Sequence, residues 1–141
     1  MGVEFSRVEV FVHVDIRRVI KDFTLPKDLE IPFRVKQIKI VELSKEAISQ
    51  GLALGNHFHT VESGRWELFI VDGPESDNLF KLRYRKAGQV EIREKDMKRG
   101  ETCLVPPGHT HSFKGLQEGA VLVGFSNLSY DASHDVPDKL F

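Results

Sequence analysis

Apolar and polar positions alternate with a period of two along most of the chain, the signature of half-buried strands. Val8, Val10, Val12 and Val14 alternate with Glu9, Phe11 and His13, which puts β-branched side chains on one face. Residues 24–28 (Thr-Leu-Pro-Lys-Asp) are turn-prone, and residues 31–43 then read as one strand. In that strand Phe33, Val35, Ile40 and Leu43 point inward in two registers, so a bulge is expected near Gln37. Ser44 to Gln50 is the candidate short helix or loop, closed by Gly51.

From Leu52 onward the pattern is strand, turn, strand. Leu68 to Val71 is a short buried run ended by Asp72-Gly73-Pro74. Leu79 to Arg85 and Gln89 to Arg93 flank Lys86-Ala87-Gly88, a hairpin turn with Gly where φ must be positive. The mixed-charge residues 93–99 read as a solvated turn. Strands are expected over 101–105, 109–113 and 120–126, separated by Pro106-Pro107-Gly108 and Gln117-Glu118-Gly119. About eight to ten short strands at this spacing predict an all-β sandwich or barrel. The sequence contains no long amphipathic helical pattern and no internal repeat.

Composition narrows the function classes. The 141 residues are the size of one domain, expected to span 1–141. Lys plus Arg total 20 against 21 Asp plus Glu, a net charge of −1, so no positive field draws nucleic acid or an anionic membrane. Ala120 to Phe125, the longest apolar stretch, is far too short for a bilayer span. Glu4, Arg7 and Glu9 interrupt any signal-peptide core, and residues 1–6 fit only a loose, common lipidation pattern. Cys103 is the sole cysteine, which precludes an internal disulfide and suggests a reducing compartment. The expectation is a cytoplasmic protein.

Two segments carry chemistry. In Gly51-x5-His57-x-His59, imidazoles two residues apart on a strand share a face. In Gly100-x5-Pro106-x-Gly108-x2-His111, a glycine turns the chain, a Pro-Pro-Gly corner bends it, and His111 enters the next strand. Either motif alone is weak. Together in a small all-β chain they are specific.

These paired motifs resemble those of the cupins, RmlC-like jelly-roll barrels (double-stranded β-helices) with a pocket in the barrel mouth. The resemblance covers residues 31–126, with 1–30 and 127–141 as barrel or dimer extensions. It implies a metal held by His57, His59 and His111, with Zn²⁺ favoured over Fe²⁺, Ni²⁺ or Mn²⁺, or else a metal-free site. The family's fourth ligand, a glutamate, does not fall at its usual spacing. Two extra residues in the turn 60–65 make Glu67, which keeps the parity of His57 and His59, the candidate, with Glu62 as fallback. Where related chains carry Arg before the first motif's glycine, this one has Leu54.

A finer likeness lies in Gly55-Asn56-His57-Phe58-His59, residues 105–111, and the tail Asn127-x-x-Tyr130-Asp131 with Pro137-Asp138-x-x-Phe141. These are similar to the C-terminal cupin of capsular-polysaccharide sugar-nucleotide reductase/epimerases. Ile31-Pro32-Phe33-x-Val35-Lys36 resembles the early strand of dTDP-4-keto-6-deoxyhexose 3,4-ketoisomerases. The likeness implies an isomerase or epimerase acting on a nucleotide-diphosphate keto-sugar in polysaccharide biosynthesis. Without metal, His59 would be the base, with His57 and His111 as electrophile and orienter. Trp66, His109, Arg34 and Tyr130 are candidate substrate contacts, each with a plainer reading as rim, core or surface residue. Arg34, Lys36 and Lys39 could neutralise a diphosphate, with charges on an outer strand face as the plainer expectation. Alternatives are another metal-dependent cupin enzyme, a dioxygenase or non-sugar isomerase, or a non-catalytic sugar-binding barrel. A homodimer paired through the Val8–Val14 strand is expected.

Overall fold

Alternation does produce strands, and their pairing is antiparallel throughout. In the computed structural model, residues 2–26, 29–75, 78–129 and 131–141 are described. Their strands are β1 (Glu4–Arg7), β2 (Glu9–Val14), β3 (Val19–Thr24), β4 (Gln37–Glu42), β5 (Ala53–His59), β6 (Glu67–Asp72), β7 (Phe80–Lys86), β8 (Arg93–Met97), β9 (Glu101–Val105), β10 (His109–Gly115), β11 (Val121–Ser126) and β12 (Asp135–Pro137). One five-stranded sheet runs β1-β9-β6-β11-β4, the other β12-β5-β10-β7-β8, and β2 and β3 form a separate hairpin. The two larger sheets are the layers of a jelly roll.

Between the sheets the inward residues of alternate positions form the core. Phe69, Val71, Phe80, Leu82, Met97 and Phe113 belong to it, all at most 4% exposed. Phe113 meets Phe69 edge-on at 5.0 Å between ring centroids and Phe80 at 6.0 Å. Cys103 is buried in the same core, where loss of solvent pushes its thiol pKa up, so it is an inert apolar filler. Among the described residues no helix is long and apolar enough to cross a membrane.

Several expectations are corrected. Residues 31–43 are not one strand; only Gln37–Glu42 pairs, with β11. Its inward positions are Gln37, Lys39 and Val41, while Ile38 and Ile40 face out at 63% and 67% exposure. A buried anion decides that register: Lys39 reaches inward past Gly124 to Glu67, and the isoleucines take the other face. Val35 lies with Ile31, Phe23 and Leu25 over the outer face of the first sheet, against Leu68 and Ile70. Of the Val8–Val14 alternation, Val8 is buried and donates its N–H to the Gly100 carbonyl, while Glu9–Val14 is β2, folded back on β3 rather than built into the barrel. Residues 93–97 are strand β8, so the β7–β8 connection is longer than a three-residue turn. The bulge falls between β5 and β10, at His111/Ser112, and not at Gln37.

Other local signals hold. The helix α1 (Lys45–Ser49) starts at Ser44, whose side chain accepts from the Ala47 N–H, and Gly51 follows at φ +66°. The turn before β6 contains the extra residues: a 3₁₀ turn over Val61–Ser63, capped by Thr60 and ended by left-handed Gly64. Part of the tip around Glu75 and the turn after Pro26 fall outside the described residues.

Candidate functional site

β5 contributes two side chains, and β6 and β10 one each, that point into the gap between the sheets. His57 and His59 alternate with Phe58 on β5, and His111 pairs opposite His57 on β10. The bulge makes this pairing possible. Gly55 (φ +99°) and Asn56 (φ +56°) are both left-handed, and a Cβ on Gly55 would stand 2.5 Å from the His111 carbonyl oxygen. Ring centroids of His57 lie 4.9 Å from His59 and 5.1 Å from His111.

Glu67, the first residue of β6 and 1% exposed, supplies the carboxylate. Its Oε1 is 2.8 Å from His59 Nε2 and 3.3 Å from His111 Nε2. Its Oε2 accepts from Lys39 Nζ at 3.0 Å and lies 3.8 Å from Arg65 Nη2. Burial alone would raise the Glu67 pKa, but the hydrogen bonds from His111 and His59 hold it well below the usual carboxylate range. Glu67 is therefore anionic. His57 shifts the other way: burial, then the neighbouring imidazoles, lower its pKa to about 4, so its ring is neutral near pH 7.

His57, His59, Glu67 and His111 each offer one donor atom, all within 4.8 Å of one another. A tetrahedral ion with bonds near 2.0–2.2 Å needs donors roughly 3.4 Å apart, so small side-chain shifts close this quartet on a divalent ion. The donor chemistry suits one, with three imidazoles and a single carboxylate. On the other side of the ring, His59 Nδ1 makes no aligned hydrogen bond, although Asp135 Oδ1 is 2.8 Å away. A cavity of about 190 Å³ opens beside the quartet, lined by His57, His111, Lys39, Leu54, Phe69 and Phe113 among others.

The other sequence candidates scatter. Glu62 is exposed on the 3₁₀ turn and takes no part in the quartet. His109 is 8% exposed, not a solvated rim residue; its Nδ1–H donates to the Pro107 carbonyl, and burial lowers its pKa. It lines a separate recess with Tyr84, Lys86 and Arg93. Trp66 is half-buried, its main-chain N–H donating to Asn127 Oδ1 at 2.9 Å, so Asn127 braces the turn before Glu67. Arg34 is exposed in the segment leading to β4. Tyr130 lies outside the described residues. Lys39, expected on an outer face, points inward instead. Arg65 and Asp135 were not anticipated, since a lone charge on a turn or in a tail has no periodic signal.

No family model matches this sequence, and no curated protein matches it significantly. Solved structures do. A 3,4-ketoisomerase from Helicobacter canadensis superposes with a TM-score of 0.68 at 16% identity, over 98% of this chain and 92% of that one. The 3,4-ketoisomerase QdtA from Thermoanaerobacterium thermosaccharolyticum, in complex with TDP-4-keto-6-deoxyglucose, gives 0.65 at 14% identity, covering 97% and 88%. The capsular polysaccharide assembling protein CapF from Staphylococcus aureus gives 0.57 at 21% identity over 94% of this chain, but only 33% of its own. The fold is the jelly roll that these structures share. The quartet lies between its two sheets.

Proposed function

We propose that this cupin is an isomerase or epimerase of a nucleotide-linked keto-sugar in polysaccharide biosynthesis. The observation that carries the reading is the imidazole and carboxylate quartet, two of whose members, His57 and His111, line one cavity, in a fold shared with solved 3,4-ketoisomerases. The cavity is smaller than the roughly 300–1,000 Å³ of pockets that enclose whole drug-sized ligands, so the sugar ring enters and the nucleotide stays outside.

His57, His59, His111 and Glu67 would hold a divalent ion, zinc ahead of iron, nickel or manganese, which when bound polarises the substrate carbonyl. In a metal-free site His57, which faces the cavity as a neutral imidazole, is the proposed base; with an ion bound it is a ligand and takes no proton. As base it takes the proton from the carbon next to the ketone, leaving an enediolate, and returns it to the neighbouring carbon on the same face; an epimerisation takes its proton from a second acid on the other face. His59 fits that role less well, because carboxylates stand at both its ring nitrogens. Lys39 supplies a fixed positive charge at the cavity wall, where the developing oxyanion needs one in a metal-free site. Incubation with TDP-4-keto-6-deoxyglucose in D₂O should place deuterium at C3; no exchange with any keto-sugar nucleotide would overturn the proposal.

The apolar wall of Leu54, Phe69, Phe113 and Leu122 favours a second reading, a metal-dependent cupin acting on a less polar substrate. Oxygen consumption by Fe²⁺-loaded protein would select that reading. Turnover of neither kind, with retained sugar binding, would leave a non-catalytic barrel.

We also propose a cytoplasmic homodimer. A lone two-stranded hairpin is marginal in water, yet β2–β3 exposes Phe11 at 61%, Val14 at 72% and Val19 at 59%. A second copy packed on the hairpin and on Ile38 and Ile40 would cover them. Light scattering after gel filtration should give twice the chain mass, and a clean monomer refutes it.

A further inference from the structure

His59 stands between two carboxylates. Glu67 Oε1 is 2.8 Å from its Nε2, and Asp135 Oδ1 is 2.8 Å from its Nδ1. A neutral imidazole carries one N–H, so it can donate to only one of them. With the proton on Nε2, Glu67 is satisfied while Nδ1 and Asp135 Oδ1 confront each other as two buried acceptors. Such an arrangement is costly inside a protein. The two atoms are 2.8 Å apart but out of line, so a small rotation of the His59 ring, of the kind that closes the quartet, brings Nδ1–H onto Asp135. Moving the ring proton to Nδ1 pairs it with Asp135 and leaves Nε2 as a bare lone pair aimed into the quartet, which is the form a metal ligand needs.

We propose that Asp135 is a positioning residue: it holds the His59 proton on Nδ1, so that Nε2 is free to ligate a divalent ion. With an ion on Nε2, the single ring proton sits on Nδ1 against Asp135. The inference rests on the metal reading of the quartet.

The tail that carries Asp135 is built to keep it there. β12 pairs with β5 so that Asp135 lies directly opposite His59. The Asp138 carboxylate accepts hydrogen bonds from Arg85 of β7 and Thr110 of β10. The left-handed Asn56 of the bulge accepts from the Leu140 and Phe141 N–H groups through Oδ1, at 2.8 and 3.2 Å. Arg83 lies over the Phe141 ring at 4.3 Å and donates to the Leu140 carbonyl at 2.9 Å. The bulge that aligns His57 with His111 thus also ties down the segment that orients His59.

The test is Co²⁺ titration, read by visible absorption and calorimetry, on wild type, Asp135→Ala and Asp135→Asn. Removing the carboxylate should weaken Co²⁺ binding about 10- to 100-fold, and the amide, which keeps an acceptor, by less. In Zn²⁺-loaded wild type, ¹⁵N spectra should place the His59 proton on Nδ1. Wild-type affinity in Asp135→Ala, or a proton on Nε2 in the Zn²⁺-loaded protein, overturns the proposal. If the alanine variant does not fold, wild-type affinity in the near-isosteric Asp135→Asn variant overturns it. No Co²⁺ uptake by wild type brings down the metal reading itself.

Discussion

Lys39 and Glu67 form an ion pair of 3.0 Å between the edge strand β4 and the first residue of β6. The Lys39 stem crosses Phe69, with its ammonium 5.4 Å from the ring centroid, and its side chain remains 40% exposed. One carboxylate therefore closes the gap between two strands and joins them to His59 and His111 on the opposite sheet. Glu67→Gln keeps the shape but removes the charge that Lys39 and Arg65 face. Loss of one partner of a buried pair leaves the other uncompensated, so the variant should lose about 2–4 kcal/mol of stability and most of its divalent-metal uptake. Urea unfolding and metal analysis check the two effects separately.

Acid should unfold the metal-free protein in two stages. The His57 ring takes a proton near 6.5 in the unfolded chain and only near 4 in the folded one, so its contribution is whole above pH 6.5 and lost as pH falls toward 4. Glu67 is held below its ordinary 4.5, so its contribution is whole above that pH and lost on further acidification. Melting followed by circular dichroism should be level above pH 7 and decline below it. His57→Gln should flatten the upper part of the decline and leave the lower part in place.

Gly55→Ala tests the bulge. Alanine at φ +99° is strained, and its methyl would meet the His111 carbonyl. The expected cost is about 1–3 kcal/mol from backbone strain. Because the same clash separates β5 from β10, metal affinity should fall further than stability accounts for. Calorimetry of ion binding on the still-folded variant checks this.

Phe113→Ala should cost about 3–5 kcal/mol, since the ring is 1% exposed and wedged between Phe69 and Phe80. Chemical denaturation measures it. A cost below 1 kcal/mol would mean that the two sheets do not share the core described here.

What residue order alone determined is what depends on neighbours in the chain. Period-two alternation marked most strands, Ser44 marked the helix start, and the HxH spacing put His57 and His59 on one face. The parity that favoured Glu67 over Glu62 was also readable, because a continuous strand carries it. Tertiary structure decided the rest. The inward register of β4 depends on a buried anion contributed by another strand, so Lys39 looked like a surface charge and Ile40 like core. The position of the bulge depends on the close approach of β5 to β10, and Gln37 offered only a local pattern. Asp135 reaches His59 across a sheet edge more than seventy residues away in sequence, a contact with no period to announce it. Alternation reports which face a side chain takes when a core is already assumed; the partner strand and the charge waiting on it decide which face becomes the core.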